Sequence, residues 1–132
     1  MARILIVEDE RQIREALKQV LEREGHTVRL AENGDEGVLA FCAEPSDLVI
    51  CDILMPVKDG LETIEELRRL APELPILAVS GGGPGEKAQF ALDVAQLCGA
   101  VQVLAKPFSR KEILAAIDRC FVPGEAGGGG AG

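Results

Sequence analysis

Leu48 to Gly60, reading LVICDILMPVKDG, is the stretch that decides the fold. Leu48 to Cys51 form an unbroken apolar run, Asp52 ends it, and Pro56 followed by Asp59-Gly60 turns the chain. A strand buried on both faces reads as such a run bounded by turn signals, so Leu48 to Cys51 is predicted to be a central strand with Asp52 at its carboxyl end. Ligands and chemistry in an open α/β sheet gather at that end of the strands. A buried carboxylate there needs a proton, a cation or a metal beside it, and the rest of the chain has to supply that partner.

Toward the N-terminus, Arg3 to Val7 (RILIV) reads as a first buried strand that runs into Glu8-Asp9-Glu10. Ile13, Ala16, Leu17, Val20 and Leu21 then follow the spacing of one helix face, which Gly25 ends. His26 to Ala31 is predicted as a second strand, and Asn33 with Glu36 caps a second helix to about Ala43, before the Pro45-Ser46-Asp47 break. Toward the C-terminus, Leu61, Ile64, Leu67 and Leu70 mark a third helix closed by Pro72 and Pro75. Ile76 to Val79 is a fourth strand ending at Ser80, followed by a flexible Gly81 to Gly85 loop. Ala91, Val94, Ala95 and Cys98 give a fourth helix its inner face, and Val101 to Ala105 makes a fifth strand ending at Lys106-Pro107. Ser109 and Glu112 form a capping box opening a last helix, with Ile113, Ile117, Cys120 and Phe121 facing inward.

Five strand-helix units in alternation call for an α/β fold, with one parallel sheet carrying helices on both faces. The chain has 132 residues and is 47% hydrophobic, which fits one domain, taken as residues 1–122. The mostly glycine stretch 123–132 is predicted to be a flexible tail. Fourteen basic against 22 acidic residues give a net charge of −8, which argues against a nucleic-acid footprint. Cys42, Cys51, Cys98 and Cys120 show no C-x-x-C spacing and read as reduced core residues, and no signal-like segment precedes Ile4. No run approaches the roughly 20 apolar residues that span a bilayer, so a cytoplasmic location is expected. His26, the single histidine, sits at a strand start where a solvated or half-buried role fits better than metal binding.

Parallel strands bring their carboxyl ends to one edge, which here collects Glu8, Asp9, Asp52, Ser80 and Lys106. Carboxylates gathered within several ångströms repel by about 4 kcal/mol per pair at an effective dielectric near 20. Mg2+ takes oxygen ligands and keeps open positions, so it resolves that repulsion better than zinc. An acceptor carboxylate, a Mg2+ site, a lysine and a hydroxyl suit phosphoryl transfer to an aspartate. Met55 and Phe108 read as packing residues and Asp59 as a turn residue. Two rival classes remain open. Gly83 to Ala88 (GPGEKA) fits a nucleotide-loop pattern, but after the fourth strand rather than the first. A dehalogenase-type phosphatase also uses an aspartate after a strand, yet its usual second acid would fall at Leu54.

Taken in register, Glu8-Asp9 after ILIV, Asp52 with Met55-Pro56 and Asp59-Gly60, Ser80 after ILAV, and Lys106-Pro107-Phe108 resemble a response-regulator receiver domain of bacterial two-component signalling. The match runs from about Arg3 to Phe121. The resemblance implies a flavodoxin-like, doubly wound (βα)5 fold with strand order 2-1-3-4-5. It implies that Asp52 accepts phosphate from a histidine kinase or histidine phosphotransfer protein. It implies Mg2+ on Asp9 and Asp52 with the Leu54 carbonyl, and Glu8 acting largely through water. Ser80 and Lys106 would contact the phosphoryl oxygens, with the amide of Ile53 or Gly81 as a further donor, and the Lys106-Pro107 bond would be cis. Such a chain is a switch that catalyses only its own phosphorylation and dephosphorylation. Its downstream target is a protein, and the outer face of the last two helices and fifth strand serves partners or dimers in the family. A phosphorylation-independent receiver that acts as a binding module is the alternative, but its usual sign, loss of an acidic, acceptor or lysine position, is absent.

Two departures shape the expectations. Many receivers carry an aromatic residue three positions before the lysine, where this chain has Val103. The signal is therefore predicted to move through the Gly81 to Gly85 loop and the fourth helix. Leu54 and Gly82, which flank the site, offer no group to position a hydrolytic water, which predicts slow to moderate self-dephosphorylation.

Overall fold

The computed structural model describes residues 2–55, 59–81 and 86–121. Five strands alternate with five helices: β1 Arg3–Val7, α1 Arg11–Arg23, β2 Thr27–Ala31, α2 Gly34–Ala43, β3 Leu48–Asp52, α3 Gly60–Leu70, β4 Ile76–Ser80, α4 Glu86–Cys98, β5 Gln102–Ala105 and α5 Arg110–Cys120. All pairings are parallel and the sheet order is β2-β1-β3-β4-β5, as the resemblance implies.

The apolar runs end up where their composition demands. β3 and β4 are buried at every residue, because neighbouring strands flank them and helices cover both faces. The edge strands β2 and β5 are mostly half-buried and read less clearly in sequence. Alternate residues feed two cores, as the period of two requires. Leu5, Val7, Val49 and Ala78 face a core closed by Val38, Phe41, Ile64, Leu67 and Ala95. Ile4, Ile6, Ile50 and Val79 face the other, closed by Leu17, Leu21, Ile113 and Ile117.

Local signals set the helix ends. Asn33 and Asp59 each accept a bond from the backbone amide three residues on, capping α2 and α3. Ser109 and Glu112 close the full reciprocal box on α5. Several inward assignments fail. Leu70 is exposed at the end of α3, Phe121 is exposed just after α5 as its C-cap, and Ala16 is exposed on α1. Leu92 rather than Val94 is fully buried beside Ala95 on α4, and Thr63 takes a buried place on α3. A helix that crosses a sheet diverges from it at its ends, so an apolar stripe there runs past the core. Among the cysteines, all free, Cys51 and Cys120 are buried and Cys98 is intermediate, while Cys42 is exposed and is no core residue. His26 is half-buried and its Nδ1 accepts a bond from the Ala2 amide. The tail 123–132, Pro56 to Lys58 and Gly82 to Gly85, with most of the nucleotide-loop candidate, lie outside the described residues.

Candidate functional site

Four of the five strands, β1, β3, β4 and β5, deliver functional groups to the same edge of the sheet. β1 ends at Val7, so Glu8 and Asp9 follow at once; β3 ends on Asp52, β4 on Ser80, and β5 one residue before Lys106. The register makes this exact in space, since Asp52 lies opposite Val79 and Ser80 opposite Ala105. Carboxylate oxygens of Glu8, Asp9 and Asp52 all come within 4.8 Å of one another. Glu8 and Asp52 are buried, at 1% and 2% exposure, and Asp9 is the most open of the three. The N-cap of α1 is Glu10, so Asp9 is not spent on capping.

Among the described residues, Lys106 is the cation paired with these acids. Its Nζ lies 2.7 Å from Glu8 Oε1, 3.4 Å from Asp52 Oδ2 and 4.0 Å from Glu10 Oε1. A β-carbon on Gly81 would lie 3.2 Å from Lys106 Cδ, so glycine at that position leaves room for the lysine stem. The Lys106–Pro107 peptide is cis. Burial pushes the Asp52 carboxyl up to about 7, helped by the Glu8 charge and opposed by the Lys106 ammonium and the Leu54 amide. Burial works against the Lys106 ammonium, but its bonds to Glu8 and Asp52 and their charges outweigh that and hold its pKa above the usual lysine range.

The β3–α3 turn is held against the sheet. The Leu54 amide donates to Asp52 Oδ1 at 3.2 Å, and the Gly60 amide donates to the Ile53 carbonyl at 2.8 Å. A β-carbon on Gly60 would overlap the Asp52 carbonyl oxygen and sit 2.5 Å from Ile53 Cα, so no larger residue fits. The Ile53 amide already donates to the Val79 carbonyl, which rules it out as a spare donor. Ser80 Oγ is different: among the described residues it is a buried side-chain oxygen with no hydrogen-bond partner. Val103, partly buried, packs against the core shared by α2, α3 and α4.

The donor set is all oxygen, and three carboxylates crowd one ammonium. At 4.8 Å each carboxylate pair repels by about 3 to 4 kcal/mol at an effective dielectric of 20. Such a cluster suits a hard divalent cation, and the cluster fits the Mg2+ expected from sequence. Two participants escaped the sequence reading. Glu10 approaches Lys106, and its amide donates to Glu8 Oε2 at 3.1 Å. Arg14 is buried on α1 and bonds the Glu8 and Asp9 carbonyls. The available signal was a charged residue on the same helical stripe as Leu17 and Leu21. Among the described residues, no helix is long and apolar enough to cross a membrane.

Known proteins resemble this chain in sequence and fold. Response regulator MprA of Mycolicibacterium vanbaalenii is 37% identical over 113 residues, covering 86% of this chain and 47% of that protein. The chain thus spans about half the length of the curated relatives it matches. The receiver domain of NtrX from Brucella abortus superimposes with a TM-score of 0.82 at 31% identity, covering 89% of this chain and 96% of that one. A longer NtrX chain from the same organism is covered to 26%, with 90% of this chain matched at a TM-score of 0.83 and 31% identity. Chemotaxis protein CheY4 of Vibrio cholerae gives 0.81 at 27% identity, over 91% of this chain and 98% of that one. Residues 4–118 match the response regulator receiver domain, and the chain belongs to that family of two-component signalling domains.

Proposed function

We propose that this receiver domain is a phosphoacceptor switch in which Asp52 takes a phosphoryl group from a phosphohistidine. An Asp52 carboxylate oxygen bonds to phosphorus as the nitrogen–phosphorus bond breaks, and the imidazole leaves with the electron pair and collects a proton. Mg2+, held by Asp9 and Asp52 with the Leu54 carbonyl and by Glu8 largely through water, would neutralise charge on the transferring group. Lys106, now bonded to Glu8 and Asp52, would turn its ammonium to a phosphoryl oxygen, and the unpartnered Ser80 hydroxyl would donate to another. The observation that carries the reading is the meeting of three carboxylates, one lysine and one unsatisfied buried hydroxyl on a single sheet edge.

A groove of about 530 Å³ opens beside Lys106, between α1 and the start of α5, lined by Ile13, Ala16, Val20, Phe108 and Ile113. It offers the apolar surface against which a kinase or phosphotransfer protein can present its histidine. The domain's only reaction, on this reading, is its own phosphorylation and dephosphorylation in the cytoplasm, with a protein as downstream target. Incubation with Mg2+ and acetyl phosphate, followed by intact-mass spectrometry, should give one phosphoryl adduct on the wild type and none on Asp52→Asn. A wild type that stays unmodified would instead favour a phosphorylation-independent binding module.

A further inference from the structure

We infer that Arg14 is a positioning residue for the cation site, holding the backbone that carries Glu8 and Asp9; the inference rests on the phosphoacceptor reading above. Arg14 is a charged residue on the buried stripe of α1 with Leu17 and Leu21, and it is only 8% exposed. A guanidinium is costly to bury unless its donors are satisfied. Its nearest carboxylate, Glu32 Oε2, is 4.0 Å away on an exposed side chain, too far and too solvated to account for the burial. Its short bonds go elsewhere: Nη1 donates to the Glu8 carbonyl at 2.8 Å and reaches the Asp9 carbonyl at 3.4 Å. Among the described residues no other side chain bonds either carbonyl.

Glu8 has further restraints, since its amide donates to the Ala31 carbonyl and its carboxylate accepts from the Glu10 amide and Lys106. Asp9, just outside β1 and most open of the three acids, depends more on Arg14 for the path of its backbone. Mg2+ tolerates little departure from octahedral geometry, so a loosened Asp9 should weaken the ion rather than alter the acceptor. Asp52, Ser80 and Lys106 stand on or just after β3, β4 and β5, and among the described residues Arg14 forms its hydrogen bonds and ion pair with Glu8, Asp9 and Glu32 instead. Residues that orient metal ligands typically change metal affinity by about 10- to 100-fold when lost.

The test uses the whole chain as Arg14→Met, which keeps the apolar stem, and Arg14→Lys, which keeps the charge and one reach of donor. Mg2+ binding is measured by isothermal titration calorimetry, and phosphorylation by acetyl phosphate is measured at Mg2+ saturating for each protein. Arg14→Met should raise the Mg2+ Kd by about 10- to 100-fold, Arg14→Lys should recover part of that loss, and both rates at saturating Mg2+ should match the wild type. A folded Arg14→Met with the wild-type Kd overturns the inference, as does a rate that stays low at saturating Mg2+. Loss of the cooperative fold in both variants also overturns it, since Arg14 would then serve overall stability. A wild type that binds no Mg2+ is a separate result, which brings down the phosphoacceptor reading itself.

Discussion

Replacing Asp52 by asparagine should stabilise the metal-free domain, although it removes the proposed acceptor. The Asp52 carboxyl is raised from an ordinary 3.8 to about 7, chiefly by burial and by the charge of Glu8. The folded domain therefore keeps this proton to a higher pH than the unfolded chain does. The stability this confers is present in full below about pH 4 and is lost as the pH rises toward 7. Ionising such a carboxyl in place costs on the order of 4 kcal/mol. Asparagine avoids that cost, which already includes the Lys106 attraction, and keeps the shape, but its amide nitrogen must face a donor where Asp52 accepts from the Leu54 amide and from Lys106, an offset of about 1 to 2 kcal/mol. The net gain at pH 8 is about 2 to 3 kcal/mol, or a Tm increase of about 6 to 15 °C for a domain of this size. Urea and thermal unfolding followed by circular dichroism, in chelator and from pH 4 to 8, measure it. The gap between variant and wild type should widen with pH and narrow again when Mg2+ is added, since only the wild type retains the full ligand set. A variant no more stable than the wild type at pH 8, or a gap that ignores pH, refutes the reasoning.

Further outcomes follow from the same geometry. Gly60→Ala drives a β-carbon into the Asp52 carbonyl, so it should lower stability by about 1 to 3 kcal/mol in urea unfolding and slow phosphorylation as well. Phosphate on Asp52 should outlast a half-life of seconds, because the group that Leu54 turns to solvent is apolar and half exposed; phosphorus NMR of a purified phosphorylated sample measures this. Amide exchange along α4, Glu86–Cys98, should change when beryllofluoride mimics the phosphoryl group, because Val103 offers no aromatic ring to carry the signal; unchanged protection there would contradict that route.

What could be read from the residues follows from how each element is stabilised. β1, β3 and β4 are buried on both faces, so their apolar runs alone set them within a residue or two of their observed bounds. The edge strands begin one residue later than the composition suggests, because solvent on one side weakens the pattern. Strand order has no periodic signature and came only through the family resemblance. In the site, parallel strands guarantee that Glu8, Asp9, Asp52, Ser80 and Lys106 share an edge, and five such residues in register made it legible. The pairing inside it was not: Lys106 and Glu8 are 98 positions apart, and only the packed sheet brings lysine closer to Glu8 than to Asp52. Arg14 stayed hidden because its partners are backbone carbonyls, which carry no side-chain identity. Leu70 and Phe121 misled because helical spacing continues past the point where the helix leaves the sheet.

On the proposed mechanism Asp52 itself carries the phosphoryl group. Treating the chain with acetyl phosphate and Mg2+, reducing with borohydride, and sequencing peptides by tandem mass spectrometry locates an acyl phosphate as homoserine. Homoserine should appear at position 52 alone, and not when Mg2+ is chelated; conversion at Glu8, Asp9 or another acid, or at none, would overturn the assignment of Asp52 as acceptor.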